Sequence, residues 1–226
     1  SGARILVTGA NGFLGRYVES ALRSTEAKVL TPGRREMNLL DRAAVDAYLL
    51  EHKPTHVVHL AAECGGIGAN VANPGRYLYA NAVMGLNLIE ASRVYEVRKF
   101  VLISTTCAYP KNAPIPLNED TMWDGPPAEA TGPYGVAKRL LHTAIAGYAK
   151  QYNCAGVVLV PANLYGPGDH FEPERSHVVP ALIRRYVQAK EAGVASVTNW
   201  GSGSPTREFL HARDAAEAIV LALARC

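Results

Sequence analysis

Tyr134 and Lys138 stand four residues apart in the segment 133–138. On a helix, positions i and i+4 lie on one face, so this spacing presents a phenol and an ammonium together. A phenol titrates near pH ~10, and a neighbouring cation stabilises the phenolate. The pair therefore predicts that Tyr134 exchanges a proton with a substrate oxygen. An exposed aromatic beside a solvated lysine is the alternative that the pair alone leaves open.

The elements that must position this pair follow from an alternation of short apolar runs with helical stretches. That alternation predicts βαβ units and a doubly wound α/β fold, with a parallel sheet covered on both faces. Asp41 and Pro74 occupy positions where helices begin. A proline-rich loop over 109–133 leads directly into Tyr134. We expect strands over 4–8, 28–31, 56–60, 99–104, 156–161 and 196–199, and helices over 12–24, 41–52, 74–95, 133–152, 177–190 and from about 213 onwards.

Composition excludes several classes of function. The 226 residues are 48% hydrophobic, which is enough to bury one large core. No apolar run approaches the ~20 residues that span a bilayer, and the first residues lack the pattern of a signal peptide, so we expect a cytoplasmic protein without a membrane partner. A net charge of +3 is too small to indicate nucleic acid. The four cysteines form no metal-like cluster with the seven histidines, so we expect thiols and no metal site.

A glycine-rich segment follows the first predicted strand and opens a helix. Glycines here allow a tight turn and close backbone approach, and the helix N-terminus attracts a pyrophosphate. The spacing is Gly-x-x-Gly-x-x-Gly, and a purely structural turn is the alternative. The segment predicts a dinucleotide site that includes Gly9, Asn11, Gly12, Phe13, Leu14 and Gly15.

Two arginines follow the second predicted strand. An acidic side chain at this place would bind the ribose hydroxyls of NAD, but the chain carries Arg34 and Arg35. Arginine accommodates a 2′-phosphate, so the sequence predicts NADP as the cofactor. A solvated basic loop is the alternative.

Hydroxyls and a thiol follow the fourth predicted strand, at residues 104–107. The carboxyl ends of strands in an open parallel sheet form the ligand crevice. With the glycine loop and the Tyr–Lys pair, this run resembles the extended short-chain dehydrogenase/reductases. The resemblance implies that Thr105, Tyr134 and Lys138 are catalytic, with Lys138 also on the nicotinamide ribose. It further implies cofactor contacts from Ile103, Ser104, Pro161, Asn163, Leu164 and His177.

Five further segments narrow the resemblance to the GDP-L-fucose synthase family: 65–70, 107–111, 161–167, 176–185 and 200–211. That likeness implies an NADPH-dependent 3,5-epimerase/4-reductase of GDP-4-keto-6-deoxymannose. It makes Cys107 and His177 the acid/base pair that inverts the carbons beside the ketone, a task that needs a base on one face and an acid on the other. Singly, Cys107 is also typical of a buried small residue and His177 of a helix start.

The same likeness assigns the nucleotide-diphosphate sugar to Thr106, Asn163, Arg185, Trp200 and Arg207. Arg185 on a solvated helix face and Trp200 in an ordinary core are the alternatives for those two. Thr105 replaces the family's usual serine, and Cys64 replaces a larger residue. We expect residues 1–165 to form the NADP-binding domain and 166–226 to combine the final Rossmann elements with the start of a truncated substrate lobe. A homodimer through the helices over 74–95 and 133–152 is also implied.

Three alternative functions remain open from the sequence. The cofactor can serve as a tightly held hydride relay for epimerisation alone, or the sugar can be a 3,6-dideoxy sugar or a heptose. A non-catalytic NADP-binding sensor belongs to another class. Such sensors typically lack the Tyr–Lys pair, so its presence favours an enzyme.

Overall fold

A five-stranded parallel sheet forms the centre of the molecule in the order β2-β1-β3-β4-β5. The computed structural model describes residues 2–172, 176–199, 201–204 and 206–225. The strands of this sheet are β1 (Arg4–Thr8), β2 (Lys28–Leu30), β3 (His56–His59), β4 (Lys99–Ile103) and β5 (Gly156–Leu159). The predicted doubly wound α/β fold is confirmed.

Helices connect the strands in the right order for a doubly wound fold. They are α1 (Phe13–Arg23), α2 (Arg42–His52), α3 (Ile67–Ala72), α4 (Pro74–Val94), α5 (Gly132–Tyr152), α6 (Val178–Glu191) and α7 (Ala212–Arg225). Asp41 caps α2, since its Oδ1 accepts from the N–H groups of Ala43 and Ala44 at 2.9 and 3.4 Å. Pro74 starts α4, as the sequence predicts. No described helix has the length and apolar character that crossing a membrane demands.

The alternation of side chains along the strands divides the core into two layers. Leu6 and Val57 face a cluster that includes Leu49, Leu88 and Leu141 of α2, α4 and α5. Their strand neighbours Val7 and Val58 face the opposite cluster. That second cluster is built with α1 and α7, whose buried residues include Val18, Leu22, Ala216, Ile219 and Leu223. The sheet is therefore covered on both faces, which holds the carboxyl ends of its strands at one edge.

The predicted strand over 196–199 is wrong. These residues follow α6 as irregular chain, and three of the four are exposed, among them Ser196 and Asn199. A strand needs a neighbour to satisfy its backbone groups, and within the described residues this segment pairs with none.

The sequence did not predict a small second sheet or the helix α3. Strands β6 (Asn163–Tyr165) and β7 (Phe209–His211) pair in parallel, in a register that sets Asn163 opposite Phe209. The helix α3 has six residues and begins at Ile67. Together, β6 and β7 fix the segment that follows β5 beside the segment that precedes α7.

Candidate active site

A cleft opens where the chain crosses from one half of the sheet to the other. The chain passes from β1 out to β2 and returns to β3, so β1 and β3 are neighbours whose following loops diverge. Ligands of open α/β sheets bind at such a switch point. The cleft has a volume of about 480 Å³, and its walls include the loop 9–15, Arg34, the segment 60–65, Asp169, His170 and His177.

The glycine loop is shaped for close backbone approach. Gly9 has φ +74°, and a Cβ there would meet the amide nitrogen of Ala61 at 2.8 Å. At Gly15 a Cβ would collide with the carbonyl of Gly9. The helix α1 starts after Gly12 without a side-chain cap. Its first N–H groups are therefore left for a ligand, and a diphosphate fits that end of a helix.

A hydrogen bond between Thr8 and His59 fixes the two strands that flank the cleft. Thr8 Oγ1 and His59 Nδ1 lie 2.8 Å apart, at the carboxyl ends of β1 and β3. Burial, and after it the charge of Lys138, lowers the pKa of His59 to about 3. The imidazole is thus neutral at physiological pH, and its hydrogen bond to Thr8 joins β1 to β3.

The two predicted phosphate-binding arginines differ in position. Arg34 lines the cleft, whereas Arg35 does not line either of the two large cavities. Glu63 stands in the same cleft, with its carboxylate held by Arg76 at 2.5 and 2.6 Å. That hydrogen bonding, followed by the charges of Arg76 and Arg34, lowers the pKa of Glu63. Of the two arginines, Arg34 is therefore the one that lines the cleft.

Tyr134 and Lys138 lie on the first turns of α5, as predicted. Lys138 is only 2% exposed, and its Nζ donates to the carbonyl oxygen of Ile103 at 2.9 Å. It lies 5.9 Å from the centre of the Tyr134 ring. Burial lowers the pKa of Lys138 to about 8. The ammonium is still the main form at neutral pH, anchored at the end of β4.

The pKa of Tyr134 differs from the expectation. Burial, and then the nearby thiols of Cys64 and Cys107, raises the pKa of Tyr134 well above its ordinary value. Desolvation of the phenolate is the largest cause of this rise. Tyr134 is accordingly a protonated phenol at neutral pH, which is the form of a proton donor.

The turn after β4 carries the predicted hydroxyl and thiol. Thr105 Oγ1 accepts from the Cys107 N–H at 3.1 Å and so caps a short 3₁₀ helix over Thr106–Ala108. Gly135 brings the backbone of α5 directly against the Cys107 carbonyl, where any Cβ would collide. Cys107 is half-buried there. The thiol is thereby set beside the first turn of the helix that carries Tyr134.

His177 lies at the start of α6. It is exposed and lines the cleft together with Cys64 and His170. Cys107 lines neither large cavity. Cys64 thus lines the cleft and is also one of the groups that raise the pKa of Tyr134.

A second cavity, of about 460 Å³, adjoins the strand ends β4 and β5. Leu14 of the glycine loop lines both cavities. Three predicted site residues line the second cavity only: Ile103, Thr106 and Pro161. Ser104, by contrast, is buried, and its hydroxyl shares a hydrogen bond with His142.

The residues predicted to hold the sugar are spread along the end of the chain. Asn163 Nδ2 donates to the Glu208 carbonyl at 3.0 Å, which places Asn163 beside Arg207. Leu164 follows within β6. Arg185 Nη1 donates to the Thr198 carbonyl at 3.2 Å. Trp200 lies outside the described residues.

Two residues of α5 were missed by the reasoning from sequence. His142 Nε2 lies 2.6 Å from Ser104 Oγ. Arg139 donates from Nε to the Ala108 carbonyl and from Nη1 to the Gly125 carbonyl at 2.9 Å. His142 continues the four-residue spacing of Tyr134 and Lys138, and that periodicity is the signal that was available for it. Among the described residues there is no cluster of ligands suited to a metal ion.

Comparison with known proteins adds the chemistry of relatives to this geometry. Residues 5–226 match the NAD dependent epimerase/dehydratase family. The chain is 37% identical over 222 residues to a GDP-L-fucose synthase from Sinorhizobium fredii, a match that covers 98% of this chain and 71% of the relative. It is 35% identical to a GDP-L-colitose synthase from Yersinia pseudotuberculosis, covering 96% and 70%. The fold superposes on a GDP-L-fucose synthetase from Naegleria fowleri bound to NADP with a TM-score of 0.89 at 30% identity, covering 98% and 72%.

Proposed function

Because the chain belongs to the NAD dependent epimerase/dehydratase family, we propose that it is the 3,5-epimerase and 4-reductase of a GDP-linked 4-keto-6-deoxy sugar. It is an NADP-dependent oxidoreductase/epimerase of the short-chain dehydrogenase/reductase superfamily. The substrate proposed is GDP-4-keto-6-deoxymannose, and the product is GDP-L-fucose. The observation that carries this proposal is geometric: the Cys107 backbone packs directly against Gly135, the residue after Tyr134, and the Lys138 ammonium lies 5.9 Å from the centre of the Tyr134 ring.

The residues of the cleft fit NADPH. The uncapped start of α1 would hold the diphosphate, and Arg34 would hold the 2′-phosphate. Lys138, held by the Ile103 carbonyl, would donate to the nicotinamide ribose. NADPH supplies a hydride for C4 of the sugar when it is bound.

Epimerisation is assigned to Cys107 and His177. Carbons 3 and 5 flank the ketone, so loss of a proton from either gives an enolate stabilised by the C4 oxygen. One of the two residues takes that proton, and the other returns a proton to the opposite face, which inverts the carbon without changing its composition. The two residues belong to separate elements, the turn after β4 and the start of α6, which is compatible with approach to the sugar from two sides.

Reduction is assigned to Tyr134 with Thr105. As C4 becomes tetrahedral, its oxygen gains negative charge and takes the phenolic proton. Burial raises the pKa of Tyr134, so the phenol carries this proton at neutral pH. The Thr105 hydroxyl accepts from the Cys107 N–H and retains its own proton to donate to the same oxygen.

A homodimer through α4 and α5 is part of the proposal. Both helices expose apolar side chains, including Leu78, Tyr79 and Leu86 on α4 and Val136 and Leu140 on α5. An exposed apolar face of this kind is typical of a protein–protein interface. Sedimentation equilibrium measures the mass, and Leu140→Glu should shift a dimer towards monomer.

The activity is tested with GDP-4-keto-6-deoxymannose and NADPH in heavy water. We expect NADPH to be consumed and deuterium to appear at C3 and C5 of the product. Consumption without label would remove the epimerase assignment, and label without consumption would remove the reductase assignment. The absence of both would leave another sugar or a sensor as the function.

A 3,6-dideoxy sugar is the second candidate. The 35% identity to a GDP-L-colitose synthase, close to the 37% identity to a GDP-L-fucose synthase, supports it. The ratio of kcat/KM for GDP-4-keto-6-deoxymannose and for its 3-deoxy analogue decides between the two. A ratio below one would transfer the assignment to the dideoxy sugar.

A further inference from the structure

Side chains of the helix α5 form hydrogen bonds with both ends of the segment Ile103–Ala108, here called the catalytic turn. At the strand end, Lys138 donates to the Ile103 carbonyl and His142 bonds to the Ser104 hydroxyl. At the far end, Arg139 donates to the Ala108 carbonyl. Between these contacts lie Thr105 and Cys107, the hydroxyl and thiol of the proposed site.

We propose that His142 and Arg139 are positioning residues that each serve one half-reaction. His142 fixes the end of the turn that carries Thr105 and so supports hydride transfer. Arg139 fixes the end that carries Cys107 and so supports proton exchange at carbon. This assignment rests on the proposed function, because it divides that function between two contacts.

The His142 contact is short and shielded. Its Nε2 lies 2.6 Å from Ser104 Oγ, and Ser104 is 6% exposed. The Ser104 N–H donates to the Leu159 carbonyl at 2.8 Å, so the residue is held from the sheet as well. Burial, followed by the charges of Lys138 and Arg139, lowers the pKa of His142 to about 4. The neutral imidazole therefore orients the residue before Thr105 without adding a cation beside Lys138.

The Arg139 contact joins the catalytic turn to the proline-rich loop. Its guanidinium donates to the Ala108 and Gly125 carbonyls and lies 5.6 Å from the centre of the Trp123 ring. Nη2 is buried and has no acceptor among the described residues. A desolvated cation with an unmet donor is a costly way to fill space, since an apolar side chain would fill it with less penalty. The guanidinium holds two carbonyl groups, those of Ala108 and Gly125, in fixed positions near Cys107.

The two contacts are separable because they meet different residues of the turn. His142 acts on Ser104, the neighbour of Thr105, whereas Arg139 acts on Ala108, the neighbour of Cys107. The Thr105 cap on the Cys107 N–H lies between them. Loss of the His142 contact releases the Ser104 hydroxyl, while Lys138 still holds the Ile103 carbonyl and Leu159 still holds the Ser104 N–H. Loss of the Arg139 contact releases the Ala108 carbonyl at the other end.

The test separates exchange from hydride transfer. Exchange is followed as deuterium entry at C3 and C5 of GDP-4-keto-6-deoxymannose in heavy water with NADP⁺, which blocks reduction. Hydride transfer is followed as initial NADPH formation from GDP-L-fucose and NADP⁺, which needs no epimerisation. The variants are Arg139→Met, His142→Leu and His142→Gln, with Lys150→Met as a control that removes an exposed charge from the same helix.

We expect Arg139→Met to slow exchange at least about tenfold while hydride transfer stays within about threefold, and His142→Leu to do the reverse. His142→Gln keeps a hydrogen-bonding amide and should restore hydride transfer to within about threefold. Equal losses in both assays, or no loss in either, would overturn the division of labour. For each variant, the circular dichroism spectrum and the Kd for NADPH must match those of Lys150→Met. If Arg139→Met does not fold, Arg139→Lys takes its place, because a lysine ammonium reaches only one of the two carbonyls.

An inactive wild-type protein would refute the proposed function and leave the positioning open to a direct measurement. Alkylation of Cys107 is then followed by peptide mass spectrometry at one fixed alkaline pH for all variants. Release of the Ala108 contact should speed alkylation at least about threefold in Arg139→Met and leave it unchanged in His142→Leu. The same rate in both variants and wild type would overturn the inference.

Discussion

The Lys138 ammonium donates to the carbonyl oxygen of Ile103 at 2.9 Å and remains 5.9 Å from the centre of the Tyr134 ring. The lysine is thus tied to the last residue of β4 before any ligand arrives. One buried cation joins the helix of the phenol to the turn of the hydroxyl and thiol.

The burial of Lys138 predicts a pH-dependent stability. Burial lowers its pKa to about 8 from 10.5, so between these values the unfolded lysine holds a proton that the folded one lacks. Unfolding then takes up a proton, and the free energy of unfolding rises with pH. Relative to Lys138→Met, the wild type should gain about 2 kcal/mol between about pH 7 and about pH 9.5. Urea denaturation at both pH values measures this, and a difference that stays constant would contradict it.

Tyr134→Phe removes the proposed proton donor and keeps the ring. We expect NADPH oxidation with the keto sugar to fall at least about a hundredfold, because general acid catalysis is lost. The Kd for NADPH, measured by fluorescence titration, should stay within about threefold, since the cleft walls are unchanged. Retained turnover in this variant would refute the role of Tyr134.

Cys107→Ser tests the thiol. Serine is a much weaker acid than cysteine, so deuterium entry at the carbons beside the ketone should fall at least about a hundredfold. Hydride transfer from GDP-L-fucose to NADP⁺ should persist, because Tyr134 and Thr105 remain. Nuclear magnetic resonance of the sugar follows the first, and absorbance of NADPH the second; undiminished exchange would exclude Cys107 as an acid or base.

Arg34→Ala tests the preference for NADPH. Arg34 lines the cleft and Arg35 does not, so the two alanine variants form a matched pair. We expect Arg34→Ala to weaken NADPH binding roughly tenfold to a hundredfold, as loss of charge-assisted hydrogen bonds does, and to leave NADH binding nearly unchanged. A larger effect from Arg35→Ala in isothermal titration would reassign the phosphate contact.

Glu90→Gln tests a polar contact between α4 and α5. Glu90 accepts from Arg93 at 2.6 and 2.9 Å and from the Tyr148 hydroxyl at 2.8 Å. Hydrogen bonding from Arg93 lowers the pKa of Glu90 to about 2. The stabilisation is present above the ordinary pKa of 4.5 and is lost as pH falls through 2. The variant should lose about 1 kcal/mol of unfolding free energy at neutral pH, and the loss should vanish at about pH 2; a pH-independent loss would implicate packing instead.

Local patterns predicted the glycine loop, the Tyr–Lys spacing and five of the six expected strands. These features depend on residues close in sequence, such as the cap of Asp41 or the alternation that buries Val57 and Val58 on opposite faces. The predicted strand over 196–199 failed because local composition cannot supply a neighbouring strand. The pair β6 and β7 was missed for the converse reason, since Asn163 and Phe209 meet only in the folded chain.

The residue types of the candidate site could be predicted from the sequence, but their protonation states and contacts could not. Its hydroxyl, thiol, phenol and ammonium could be named from sequence. The raised pKa of Tyr134 could not, because it depends on burial and on Cys64, which arrives from the loop after β3. The contacts of Arg139 and His142 likewise require the packing of α5 on the catalytic turn.

The close approach of Gly135 to the Cys107 carbonyl has a consequence for redesign of the enzyme. Any side chain at 135 would push α5 outward and carry Tyr134 and Lys138 away from the thiol as one body. Space for a bulkier sugar must therefore come from substitutions at Cys64 or on α6. The distance between α5 and the catalytic turn is fixed, because no side chain fits at position 135.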